Sequence, residues 1–162
     1  MAKKYHGGKM GVNFDGFLEL SRKIDEMGEG LLKQATENAL NASKNYVNRE
    51  VEDAMIASRF AFEGGARSDA KNKPASGRAL ASVREVAQKP VEWNGNVATA
   101  YIAGDLEKSP EIVILTSQGN PHIKPDNRLK NAVKVKGAVR KEVNRIQQEE
   151  FTKILKEGMK NG

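Results

Sequence analysis

The sequence predicts an α+β fold, a small antiparallel sheet of about three strands packed with a long N-terminal helix and a C-terminal amphipathic helix. Three observations lead there. An apolar stripe at helical spacing runs through residues 31–60, alternating and β-branched runs occupy 79–117, and a second helical stripe covers 127–159. The expected organisation is a flexible basic arm over residues 1–12 and one domain over 13–162, interrupted by a mobile loop around 63–78.

The arm holds Gly7, Gly8 and Gly11 among lysines and has no periodicity. Asn13 can cap a first helix reaching Met27, with Phe14, Phe17, Leu18, Ile24 and Met27 at roughly helical spacing. Gly28 and Gly30 punctuate its end. The long helix follows. Leu32, Ala35, Ala39, Ala42 and Tyr46 form one stripe, widened further on by Val47, Val51, Ala54 and Met55. About 30 residues at 1.5 Å each make ~45 Å, which suits packing on another subunit. The stretch "EGGARSDAKNKPASGR" (63–78) has nothing to bury and reads as a loop.

The strands come next. Residues 79–88, "ALASVREVAQ", are compatible with strand or helix, since Val83 and Val86 do not decide between them. Residues 96–104 alternate, and 110–117 form a β-branched run. Asn94-Gly95 signals a tight turn between the first two. Together they read as a three-stranded antiparallel meander. In the closing helix, Ala132, Val135, Val139, Val143, Ile146 and Ile154 share one arc and Lys130, Lys134, Lys141 and Arg145 the other, with a bend near Gly137.

Composition excludes several classes of function. The chain has no cysteine, so it offers no disulfide, thiolate metal site or cysteine nucleophile, which agrees with a reducing compartment. No apolar run approaches the ~20 residues of a membrane span. "MAKKYHGGKMGVNF" has no apolar segment after its lysines and does not read as a secretory signal. The net charge of +6 is unevenly placed: residues 128–160 hold ten Lys/Arg against four acids, and Lys3, Lys4 and Lys9 add to the start. Basic ends around a mildly acidic centre suit nucleic acid or an acidic neighbour.

Candidate sites are few. "QGNPHIKPDNRL" (118–129) contains His122, Pro121 and Pro125. The only other histidine is His6, and no His-x₃-His or paired-carboxylate motif stands near His122, so neither a metal site nor an acid–base pair assembles. The prolines bias Asn120 and Lys124 towards extended backbone, and Asp126 or Asn127 can cap the next helix, making the segment a strand-to-helix joint. The glycines at 64–65 and Ser76-Gly77 lack the Gly-Lys-Ser/Thr of a phosphate loop. Trp93, beside the tight turn, reads as an anchor for the hairpin or as an interface residue. The face of Lys130, Lys134, Lys141 and Arg145 is a solvated surface, a contact for an acidic protein, or a contact for a nucleic-acid backbone. No aromatic-rich platform for single strands stands out. No catalytic residue, metal or cofactor is expected.

The order of these segments resembles the neck or tail-completion family of long-tailed bacteriophages, often described as minor tail components. The resemblance rests on "FDGFLELSRKIDEM", the Ala-rich "LLKQATENALNASKNYVNREVEDA", "KPASGRALASV", and "SQGNPHIKPDNRLKNAVK" before the last helix. It covers about Phe14 to Leu155. It implies a structural virion protein of the head–tail junction or upper tail, made in the host cytoplasm, that forms a homo-oligomeric ring around the DNA channel. Its implied partners are other neck, connector and tail proteins, with nonspecific contact to packaged DNA and no membrane. Gly119, Pro121, His122, Pro125 and Trp93 would then be candidates for touching the next subunit. The rival expectations are a nonspecific nucleic-acid-binding accessory protein using the basic helix face, and an enzyme acting through His122.

Overall fold

The computed structural model describes residues 8–10, 28–58, 77–105 and 127–160, with the side chains of 8–10, Glu29, Ser58 and Met159 excepted. The elements in order are β1 (Gly8–Met10), α1 (Glu29–Ser58), α2 (Arg78–Ala87), β2 (Glu92–Asn94), β3 (Val97–Ile102), α3 (Asn127–Val133) and α4 (Gly137–Lys160). The class is α+β, mostly helical with a small antiparallel sheet. The expected helix over 13–27, the strand over 110–117 and the joint with Gly119, Pro121, His122 and Pro125 lie outside the described residues. The expected arm is described only at Gly8–Met10, and the expected 63–78 loop only at Gly77 and Arg78.

Helix α1 starts from Gly28 (φ 98°), whose carbonyl accepts from the N–H groups of Leu31 and Leu32 at 3.2 and 3.4 Å. It is the spine of the molecule, since α2, β3, α3 and α4 all pack on it. Its buried line differs from the stripe expected in the sequence. Ala35 and Ala39 are buried, but Leu32, Ala42 and Tyr46 are only half-buried. Val47, Val51, Ala54 and Met55 are buried as expected, and the buried line also takes in Thr36, Leu40 and Ser43, with Lys44 and Asn48 beside them. Polar residues interrupt the apolar pattern there, and most of them find partners in the backbone. Thr36 Oγ1 donates to the Leu32 carbonyl at 2.9 Å, for example.

The first expected strand of the meander is a helix. In α2, Ala79, Leu80, Val83 and Val86 are buried together with Ser82, a period of three to four residues that brings one side against α1. Gly77 (φ 74°) precedes it, and its carbonyl accepts from Ala81 N–H at 3.0 Å. Pro90 follows within three residues of its end and cannot extend it.

Strands β2 and β3 form a hairpin with Glu92 opposite Thr99, Trp93 opposite Ala98 and Asn94 opposite Val97. Gly95 (φ 60°) supplies the left-handed conformation that a two-residue hairpin needs at its first central position. On the other side of β3, Gly8, Lys9 and Met10 pair antiparallel with Ile102, Tyr101 and Ala100. Among the described strands the order is β1–β3–β2, and the expected 110–117 strand lies outside them.

The closing segment is two helices, where a single bent one was expected. After α3, Lys136 N–H donates to the Asn131 carbonyl at 2.9 Å and Val135 N–H to the Ala132 carbonyl at 3.1 Å. These are the paired bonds of a Schellman stop, with the left-handed position filled by Val135 at φ 48°. A β-branched residue is poorly suited to that conformation, and Val135 is held there by packing on the core. Gly137 (φ 58°) then opens α4. The break cancels the common helical phase assumed for Lys130, Lys134, Lys141 and Arg145.

Among the described residues the core has two apolar clusters, one along each half of α1. Val47, Val51, Ala54 and Met55 meet Leu80, Val83, Ile102, Leu129, Val139 and Val143. Ala35 and Ala39 meet Phe151, Ile154 and Leu155 of α4.

Candidate functional site

Buried polar side chains show what the middle of the fold does. Lys44, Asn48 and Ser82 are 5%, 4% and 4% exposed, and each is directed at backbone. Lys44 Nζ donates to the Lys89 carbonyl at 2.7 Å. Asn48 Oδ1 accepts from Ala103 N–H at 2.9 Å, and Ser82 Oγ accepts from Asp105 N–H at 2.7 Å. Lys89 enters the β2–β3 hairpin, and Ala103 and Asp105 leave it. The three side chains therefore clamp both ends of the hairpin to α1 and α2. Ala103 lies in the left-handed region (φ 73°), a conformation that the Asn48 acceptor helps to hold. Among the described residues two buried polar side-chain atoms have no hydrogen-bond partner, Ser43 Oγ and Asn48 Nδ2.

Burial pushes the Lys44 ammonium below the usual lysine value of 10.5. Between its folded pKa and 10.5 the unfolded chain binds the extra proton, so stability rises with pH across that window, and the burial penalty is fully present below it. The chain is thus expected to gain stability relative to a Lys44→Met variant as pH is raised from neutral towards 10.5. Urea unfolding of both proteins across that range checks this. A constant or shrinking advantage would show that Lys44 carries no such penalty.

Trp93 fixes the hairpin from within the same chain. Its Nε1 donates to Glu37 Oε1 at 2.7 Å, and Lys33 Nζ lies 5.2 Å from the ring centroid. At the hairpin's other face Tyr101 donates to Glu92 Oε2 at 2.6 Å, and this bond is the first reason that the Tyr101 pKa rises.

The expected basic face divides. Arg145 Nε and Nη2 donate to Glu142 at 2.9 and 2.5 Å, and Nη1 donates to Glu149. These bonds push the arginine pKa up and hold the Glu142 carboxyl down. Arg145 is thus neutralised on its own helix. Arg128 faces Glu50 across to α1 at 3.6 Å. Lys130, Lys134 and Lys141 have no carboxylate partner among the described residues, and Lys136 and Arg140, not among the expected contacts, have none either. Lys130 is half-buried and the other four are exposed. All five surround the α3–α4 elbow. The missed signal is plain in the sequence: from Arg128 to Lys141 there are six cations and no acid, whereas all four acids of the closing segment follow from Glu142 onward.

Among the described residues no group of three or more His, Cys, Asp or Glu side chains is placed to hold a metal ion. No helix among them is long and apolar enough to cross a membrane. No protein-family model matches the chain, and no curated protein or solved structure is detectably similar to it.

Proposed function

We propose that the chain is a structural virion protein of the phage head–tail junction or upper tail, which assembles as a ring around the DNA channel and joins head to tail. Its partners in this reading are further copies of itself and other neck, connector and tail proteins. With it goes the finer architecture, a sheet of about three strands packed with a long N-terminal helix and a C-terminal amphipathic helix. One structural observation carries the reading: Lys44, Asn48 and Ser82 each bond backbone, so these three buried side chains support a scaffold. The ordered segments that resemble the neck and tail-completion family supply the rest.

Removing the gene from the phage that encodes it tests the reading. Electron microscopy of lysates is expected to show filled heads and finished tails accumulating apart, with joining restored by a copy supplied in trans. Joined, infectious particles in the absence of the protein would end the proposal.

A second reading, a nonspecific nucleic-acid-binding accessory protein, is favoured by the unpaired cations of the elbow.

A further inference from the structure

The α3–α4 elbow has an unusual electrostatic position. Elsewhere on the described surface Arg49, Lys153, Lys156 and Lys160 also lack a carboxylate partner, though Glu149, Glu150 and Glu157 stand among the last three in sequence, and three arginines are compensated. Arg84 binds Glu52 at 2.5 Å, Arg128 faces Glu50, and Arg145 is held by two glutamates. At the elbow Lys130, Lys134, Lys136, Arg140 and Lys141 lie within twelve consecutive residues that contain no acid. The placement works against local stability. Arg140 and Lys141 stand at the start of the 24-residue α4, whose first turn has no acidic residue. The positive end of the helix dipole disfavours a cation in the first turn, where Arg140 stands. Local rules broken without internal compensation mark surfaces kept for a partner.

We propose that this elbow binds the phosphodiester backbone of duplex nucleic acid, through Lys130, Lys134, Lys136, Arg140 and Lys141. The partner must be strongly anionic. On α1 a second copy of this chain would meet Glu37, Glu50 and Glu52 already engaged by Trp93, Arg128 and Arg84, which leaves Asp53 as the exposed carboxylate there among the described side chains. An acidic protein fits less well, since stable protein interfaces have an apolar, often aromatic centre. The exposed side chains around the elbow include Asn127, Asn131 and Asn144 and nothing apolar larger than Ala138. The exposed large apolar residues, Ile56 and Val97, belong to α1 and β3. Lysine, arginine and asparagine without an apolar anchor suit phosphate and sugar contacts that carry no base preference. The inference gives the second reading its residues and its ligand, and it does not depend on the head–tail reading.

Fluorescence anisotropy of the full chain with duplex DNA of about 20 base pairs, over a salt series, tests it. Five phosphate contacts give a slope of log affinity on log salt of about −4.5, a loss of roughly 500-fold from 50 to 200 mM. The variant Lys134→Ala/Lys136→Ala/Arg140→Ala is expected to flatten the slope by about three and reduce the loss to roughly tenfold. Lys134→Arg/Lys136→Arg should keep the parent slope, and so should Arg145→Ala. Strong binding with an unchanged slope in the triple variant would overturn the elbow while leaving a nucleic-acid reading alive elsewhere on the chain. No DNA binding even at 50 mM salt would overturn both. Tighter binding to polyglutamate than to the duplex would assign the elbow to an acidic protein instead.

Discussion

Replacing Phe151 by alanine is expected to lower the stability of the folded chain by about 3–5 kcal/mol, the loss typical of a fully buried phenylalanine. Phe151 is the largest fully buried side chain among the described residues. It projects from α4 onto α1, where Ala35 and Ala39 leave room for the ring, and Ile154 and Leu155 close around it. The α1 side of the site is poor at collapsing, because its fully buried members there are alanines. Two alanines cannot reach into the space the ring vacates, so the cost depends on how far Ile154, Leu155, Leu31 and Leu32 move into it. Phe151→Leu keeps most of the volume and should cost much less. Urea unfolding of the three proteins checks the order. A loss below about 1 kcal/mol in the alanine variant would mean that α4 does not dock on α1 through this residue.

The second large effect is expected at Asn48. Changing it to alanine removes the acceptor for Ala103 N–H, a buried donor that would cost about 1–3 kcal/mol to leave unpaired. The end of β3 should loosen as well, because Ala103 occupies a left-handed conformation that costs a non-glycine residue about 1–2 kcal/mol. The two positions are therefore coupled. In an Ala103→Gly background the backbone strain is absent, and Asn48→Ala should do less damage than it does alone. A double-mutant cycle measures the coupling. Strict additivity would show that Asn48 bonds the strand end without holding its conformation. Hydrogen exchange at Ala103 offers a second readout, with protection expected to fall in Asn48→Ala.

How far the sequence is legible differs from one element to the next. The periodicity from Val139 to Ile154 identifies the inner face of α4 because that face is apolar, and Val139, Val143 and Ile154 are all buried. Asn94-Gly95 identifies the hairpin turn because a left-handed backbone is chemically specific. Residues 79–88 were ambiguous for a physical reason: Ala and Val in that stretch satisfy a period of two almost as well as one of three to four. Docking of Leu80 and Val83 beside Val47, Val51 and Met55 makes the segment helical. The break at Val135 was less visible, because valine is a poor candidate for a left-handed position and only Gly137 gave a local sign.

The candidate surface was legible in its charge and not in its pairing. Counting cations on one helical face brought in Arg145, yet Glu142 and Glu149 stand at the three- and four-residue spacing that lets them neutralise it. The same count left out Lys136 and Arg140, since the assumed unbroken helix put them off the face. The clamp on the hairpin could not be read locally at all. Lys44 and its acceptor are separated by 45 residues, and Asn48 and its donor by 55.

The head–tail assignment is tested most directly by cryo-electron microscopy of intact virions, together with peptide mass spectrometry of the same particles. The account predicts that the chain is present in several copies and forms a symmetric ring at the head–tail junction or upper tail, into which the pair of α1 and α4 can be fitted. Complete virions that contain no peptide of this chain would contradict it.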